Sequence, residues 1–244
     1  MTPAPDPDTR DPQKVAIITG ASQGIGAGLT AAFRHAGYRV VGTSLSIADS
    51  EDPDFVTVSG DIADAETAER VVQQALHRFG RIDSLINNAG IYIGKPFTDY
   101  TPDDYAAVTA VNLAGFFHIT QRAIRQMVAQ GSGHVVNIST SLVDRADSTR
   151  PSALASLTKG GLAAVTRSLA IEYASGGVRV NAVALGVIKT PLHDAASYDG
   201  LAALHPLGRV GEISDVVGGI LYLEQATFVT GEILHIDGGQ TAGR

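Results

Sequence analysis

The densest group of chemistry-bearing residues is Thr19-Gly20-Ala21-Ser22-Gln23-Gly24-Ile25-Gly26, directly after a short β-branched run. A glycine turn has a specific use in that place. Gly20 permits the tight bend, Gly24 clears a side chain from the path of a pyrophosphate, and Gly26 lets the next helix pack on the strand while its N-terminus faces the anion. A strand-to-helix turn without a ligand would use the same glycines, so the reading depends on what lies downstream. Asn87-Asn88-Ala89-Gly90 forms a second polar turn after another apolar run. Ser139, Thr140 and Ser141 place three hydroxyls after a third, either to meet a substrate or to satisfy loop backbone groups. Lys159 follows on a helix, with Ser152 and Ser156 spaced to share its face.

Composition excludes several other chemistries. The 244 residues include no cysteine, which removes disulfides, thiolate nucleophiles and zinc-thiolate sites. The seven histidines are never paired at H-x3-H spacing. His134, His193, His205 and His235 are therefore read as packing or surface residues, and no metal is assigned. With 18 basic against 25 acidic residues and a formal charge of -7, the chain would repel a polyanion, so nucleic acid is not an expected partner. No apolar run approaches the roughly 18 residues of a spanning helix. The start, MTPAPDPDTRDP, lacks the regions of a signal peptide. The expectation is a cytoplasmic protein with no membrane partner.

The elements that must position these residues follow from periodicity. Residues 1–12, rich in proline and acids, read as a flexible tail, and residues 13–244 as one domain. Strands are expected at Val15–Thr19, Arg39–Thr43, Phe55–Val58, Ser84–Asn87, His134–Ile138, Arg179–Val183 and Ile233–Ile236. Stretches of helical period alternate with them, the pattern of a parallel sheet covered on both faces. Ile25, Leu29, Phe33 and Ala36 mark the first helix, and Asp64 caps one carrying Val72, Ala75, Leu76 and Phe79. Thr101-Pro102-Asp103-Asp104 starts a long helix reaching about Ala129. Leu162, Val165, Leu169, Ala170 and Tyr173 share a face that packs along the sheet or against a partner subunit. The segment Ser44 to Asp54 is too short and too acidic for a full crossover helix.

The Gly-x3-Gly-x-Gly spacing, Asn87-Asn88-Ala89-Gly90, Asp61-Ile62, Asn112, Lys159-Gly-Gly-Leu, Val180-Asn181-Ala182-Val183, Gly186 through Pro191, and Thr230-Gly231 through Gly239 together resemble the classical short-chain dehydrogenase/reductase family. The resemblance covers residues 14 to 241. It implies a three-layer Rossmann fold with a seven-stranded parallel sheet, a nicotinamide dinucleotide, and a homotetramer in which Leu162, Val165, Leu169 and the helix from Pro102 to Ala129 are buried between subunits. The implied dinucleotide site comprises Gly20, Ser22, Gln23, Gly24, Ile25, Gly26, Ser44, Asp61, Ile62, Asn88, Ala89, Gly90, Lys159, Gly186, Ile188 and Thr190. The implied catalytic set is Asn112, Lys159 and a hydroxyl at Thr140 or Ser141. Residues from about 191 to 210 would form a substrate lid, apolar and small through Ala195, Ala196, Leu201, Ala203 and Leu204.

Two departures from the family pattern bear on function. Where the family places its catalytic tyrosine, four residues before the lysine, this chain has Ala155. A tyrosine serves as proton donor only because a nearby ammonium stabilises its phenolate, so alanine leaves Lys159 with the ribose-binding role. Ser152 could orient a water in the vacated space. Leu185 replaces the proline usual before Gly186. At the end of the second strand Ser44 supplies neither the acid that favours NAD nor an arginine that favours NADP, and the missing repulsion leans toward NADP. These residues support an NAD(P)H-dependent reductase of a small hydrophobic carbonyl or imine with a non-standard proton relay. A dinucleotide-binding protein without turnover is the alternative, and a lyase- or isomerase-like role has no sequence feature of its own.

Overall fold

A computed structural model describes residues 13–192, 196 and 198–243. The tail at residues 1–12, His193 and Ala195 lie outside them. Seven strands, β1 (Val15–Thr19), β2 (Arg39–Ser44), β3 (Phe55–Ser59), β4 (Ser84–Asn87), β5 (Gly133–Thr140), β6 (Val178–Leu185) and β7 (Ile233–Ile236), form one parallel sheet in the order β3-β2-β1-β4-β5-β6-β7. The expected strands are all present. Four of them run one to three residues longer, most consequentially β5, which carries its pairing through Thr140 to Leu185.

Every residue of β1 is buried, as a strand covered on both faces requires. On one face, helices α1 (Gly24–His35) and α7 (Ile213–Gln225) bring Leu29, Phe33, Val216 and Ile220 against Ile18, Val40 and Ile86. On the other, α2 (Ala65–Phe79), α4 (Phe116–Gln130) and α5 (Ala153–Tyr173) cover Ile17, Leu85 and Val135. Each large aliphatic side chain so buried stabilises the fold by about 1.5–3 kcal/mol before its conformational entropy is counted. No helix crosses between β2 and β3.

Local chemistry starts and stops the helices. The Asp64 carboxylate accepts from Glu66 N at 3.0 Å to cap α2, and Gly80 ends it at φ 78°. Helix α3 (Pro102–Thr109) opens on a capping box between Thr101 and Asp104, with Lys95 bound to the same carboxylate at 2.6 Å. Those hydrogen bonds, the Lys95 ammonium first, hold Asp104 down at about 2.

The helix expected from Pro102 to Ala129 is interrupted. Between α3 and α4 the turn Ala110–Gly115 is a π-helix, a wider turn that inserts a residue and often marks a functional position. The face of α5 needs a second correction. Leu162 and Ala170 are buried, and Leu169 and Tyr173 pack against the sheet's own core, so within the chain these side chains lie along the sheet. The large apolar side chains left bare on α3, α4 and α5 are Tyr105, Phe117, Val128, Leu157 and Ile171.

Candidate active site

Sheet order reverses between β1 and β4, since the chain goes from β1 to β2 on one side and to β4 on the other. In parallel α/β sheets the crevice beyond the strand ends at such a point takes the ligand. The two polar turns of the sequence emerge there. Asn88 Nδ2 donates to Thr19 O at 2.8 Å and Gly20 O at 3.2 Å, and Thr19 Oγ1 accepts from Asn88 N and Ala89 N. The glycine turn and the Asn-Ala-Gly turn are thus one hydrogen-bonded unit.

The geometry fits a dinucleotide. Gly20 sits at φ 66°, and a Cβ there would come within 2.8 Å of Asn88 Nδ2. A Cβ on Gly26 would overlap the Gly20 carbonyl oxygen. Gln23, the N-cap of α1, makes no side-chain cap, and the first turn holds no acid, so the N–H groups of that turn point into the crevice unclaimed by a side chain. Gly24 sits at φ 55°, and a Cβ there would come to 3.5 Å from the Thr190 side chain. Ile25 is partly buried against the α1 side of the core. Ser22 and Ser44 share a hydrogen bond at 2.8 Å, putting two hydroxyls and no charge at the end of β2. Ile62 is buried, and a Cβ on Gly115 of the π turn would come within 2.9 Å of it. Asp61 accepts from Ala63 N. Gly186 lies under His205, and Ile188 bridges to Gly211.

The π turn presents Asn112 to the loop beyond β4. Its Oδ1 accepts from Ile91 N at 2.9 Å, while Nδ2 donates to Ile91 O at 3.0 Å and Thr158 Oγ1 at 3.2 Å. Helix α5 supplies Lys159, whose Nζ donates to the Ile138 carbonyl at 2.9 Å. Burial lowers this ammonium from its ordinary value to about 8. Ala155 is buried one turn earlier.

The structure separates the candidate hydroxyls. Ser141 Oγ donates to Gln240 Oε1 at 2.9 Å in a buried pair, so that hydroxyl is turned to the C-terminal segment. Thr140 Oγ1 accepts from Leu142 N, which leaves its proton free. Ser156 Oγ donates to Leu142 O, and Ser152 occupies the N-cap of α5 with no side-chain cap bond.

Sequence reasoning missed two residues that organise the rim. Gln240 holds Ser141, and Arg145 donates to its carbonyl. His205 anchors the segment after α6 (Tyr198–Ala202): its Nε2 accepts from Val187 N at 3.1 Å and its Nδ1 meets Leu201 O at 3.1 Å. Burial lowers the His205 pKa, and the neutral ring matches this donor and acceptor pattern. A polar residue followed by proline and preceded by apolar ones was the available signal. A cavity of about 10 Å³, near one water in size, lies between Thr19, Asn87 and Asn112. A larger one of about 250 Å³ lies between Gly186, His205, Arg209 and Asp237, and contains none of the expected catalytic residues. Among the described residues no helix is long and apolar enough to cross a membrane. No group of three or more His, Asp or Glu among them could hold a metal.

Comparison with known proteins agrees with this geometry. The family model described as enoyl-(acyl carrier protein) reductase matches residues 20–241. The chain is 36% identical over 245 residues to an L-xylulose reductase of Bos taurus, covering 95% of this chain and 98% of that one. Among solved structures it is similar to ElxO with NADP bound, at TM-score 0.88 and 30% identity, covering 95% of this chain and all of that one. It is also similar to a 3-ketoacyl-(acyl-carrier-protein) reductase of Brucella melitensis complexed with NADH, at TM-score 0.85 and 29% identity, covering 93% and 98%. Sheet order, glycine turn and these likenesses together establish that the chain belongs to the short-chain dehydrogenase/reductase family.

Proposed function

We propose that the protein is an NAD(P)H-dependent reductase of a small hydrophobic carbonyl or imine, working without the tyrosine of its relatives. The observation that carries this reading is the Asn112, Thr140 and Lys159 arrangement at the switch-point crevice, which folding alone does not need. Gly20, Gly26 and the N-terminus of α1 would hold the pyrophosphate, and Lys159 the nicotinamide ribose. When bound, the dinucleotide supplies hydride. Thr140, with its proton free, is the hydroxyl suited to a substrate oxygen, in preference to Ser141. NADP is favoured over NAD because Ser22 and Ser44 put no carboxylate where a phosphate would sit. The solved neighbours include both an NADP and an NADH complex.

A second reading, a dinucleotide-binding protein without turnover, is favoured by Ala155. Ala155→Tyr separates the two. A positioned general acid is worth about 10²- to 10⁴-fold, and a phenol beside Lys159 would regain its lowered pKa. The variant is expected to reduce simple ketones about 100-fold faster than the natural protein, assayed with NADPH, while cyclic imines, which need no acid once protonated, should be the better substrates of the natural protein. Failure of both proteins on every ketone and imine, with cofactor bound, would leave the non-catalytic reading.

The assembly proposed is a homotetramer. Phe117, Leu157 and Ile171 are 55%, 59% and 80% exposed on α4 and α5, apolar side chains that a partner subunit would cover. Light scattering is expected to give the mass of four chains, and a concentration-independent monomer would contradict it.

A further inference from the structure

The surroundings of Lys159 are unusual for a residue that only grips a sugar. A Cβ on Gly90 would lie 3.0 Å from its Nζ and 3.2 Å from Asn112 Oδ1, so the ammonium sits in a tight wall of backbone and amide. No charged group contributes to its proton affinity, either from the Asn-Ala-Gly turn, the π turn and β5 packed around it or from its own helix. Desolvation acts unopposed, and the ammonium comes down to about 8.

Apart from Thr140 and Ser152, the neighbouring protic groups are already committed. Ser139 Oγ donates to Lys159 O, Thr158 Oγ1 to Leu154 O, Ser156 Oγ to Leu142 O and Ser141 Oγ to Gln240. Nearby, the Tyr100 hydroxyl donates to Ile93 O and that of Tyr198, at the start of α6, to Thr190 O, and burial holds the Tyr92 phenol above its ordinary value. Thr140 can hydrogen-bond a substrate oxygen, yet a hydroxyl does not part with its proton near neutral pH. Ala155, one turn before Lys159 on the same face, ends at its methyl group, so no side chain at 155 intervenes between the lysine and the crevice.

We propose that Lys159 is itself the acid of this site, protonating the substrate's carbonyl oxygen through one water molecule beside the Ala155 methyl. The inference rests on the reductase reading and widens the lysine's expected role beyond the ribose. With the dinucleotide bound, hydride supplied to the carbonyl carbon would move the C=O π pair onto oxygen. The oxygen takes a proton from the water, which takes one from the Lys159 ammonium. The neutral amine is reprotonated from solvent. Ketone, reduced dinucleotide and one proton thus give alcohol and oxidised dinucleotide.

The acid must be protonated to act, so the rate of reduction is full below the lysine's pKa and falls tenfold per pH unit above it. Two measurements test this. The first is the pH profile of kcat for NADPH-dependent reduction of cyclohexanone and ethyl acetoacetate between pH 6 and about 10. The second, on the protein without cofactor, follows the ¹³Cε signals of its lysines, Lys14, Lys95, Lys159 and Lys189, with Lys159 assigned by its absence in Lys159→Met. The expected result is a Lys159 signal titrating near 8 and a kcat that breaks at the corresponding pH in the holoenzyme. In Ala155→Tyr the break should move, because the phenol takes over the donation. Lys159→Met, checked for fold by circular dichroism, should retain only a slow rate without that break. A role confined to the ribose would raise the KM for NADPH in Lys159→Met and leave the natural profile flat through pH 8. A flat profile, or a Lys159 signal titrating above 10, overturns the inference while the reductase reading stands. Absence of hydride transfer to any probe at any pH overturns both.

Discussion

Gly26→Ala is expected to weaken NADPH binding by about 1,000-fold. The new Cβ would overlap the Gly20 carbonyl oxygen and lie 2.7 Å from Asn88 Nδ2, and neither neighbour can yield easily. The carbonyl belongs to a turn at φ 66°, and the amide is held by Thr19 O and Gly20 O. The turn must therefore separate from α1, carrying its N–H groups away from the pyrophosphate. Losing two hydrogen bonds to a charged group costs about 4 kcal/mol, and that converts to the 1,000-fold. Gly218→Ala, in α7 with open space around it, is the control and should bind as the natural protein does. Fluorescence titration with NADPH measures both. Binding within tenfold of the natural protein for Gly26→Ala would show that the pyrophosphate does not lie against this turn.

Glu224→Ala is expected to lower stability by about 4 kcal/mol without touching the crevice. At the opposite end of the sheet, Glu224 accepts from His134 Nδ1 at 2.7 Å and from Ser84 Oγ at 2.8 Å, with the acid and the imidazole almost wholly buried. His134 Nε2 meets Asn181 Nδ2 at 3.0 Å, and that amide also holds Val229 O and Glu232 N. The amide's orientation makes Nε2 the acceptor, which leaves the proton on Nδ1 facing Glu224. Burial, then Glu224 and Asp83, push the Tyr38 phenol beside them up to about 12. Truncation to alanine orphans the His134 and Ser84 donors at about 1–3 kcal/mol each and opens a cavity. Glu224→Gln keeps one acceptor and should cost roughly half as much. Urea denaturation followed by circular dichroism measures the loss, and a change below about 1 kcal/mol would mean that these groups find other partners.

That network also shows where sequence reading stops. The sheet was legible because β-branched runs such as Val15–Thr19 are apolar on both faces, and the glycine turn because its position after a strand restricts what it can do. Ser84, His134 and Asn181 stand inside three such runs as polar exceptions. Their presence signals buried partners, but Glu224, which Ser84 and His134 share, lies 140 and 90 residues away on a helix, and Asn181 joins them only through His134, 47 residues away. Ser141 and Gln240 pose the same problem across 99 residues. Composition and periodicity record which face a residue occupies, not which distant side chain shares it. Hence the sequence leaves Thr140 and Ser141 as equal candidates, and only the hydrogen bond from Ser141 to Gln240 supports the proposed preference for Thr140. The α5 face was ambiguous for a related reason: an apolar stripe looks alike whether the sheet or a second chain covers it.

The π turn at Ala110–Gly115 sets the angular phase of everything after it. In an α-helix each residue advances about 100° around the axis. One residue taken up in a wider turn therefore lets α3 and α4 present faces that no single uninterrupted helix could present together. Thr101 and Asp104 can fix the start of α3 while Ile119, Ala123 and Met127 of α4 still meet the sheet. Between the two, Asn112 is aimed at Ile91. Shortening this stretch by a single residue would thus act as a rotation, turning either the asparagine away from the crevice or the apolar stripe of α4 away from the core. The site and the hydrophobic core are geared together through this one turn.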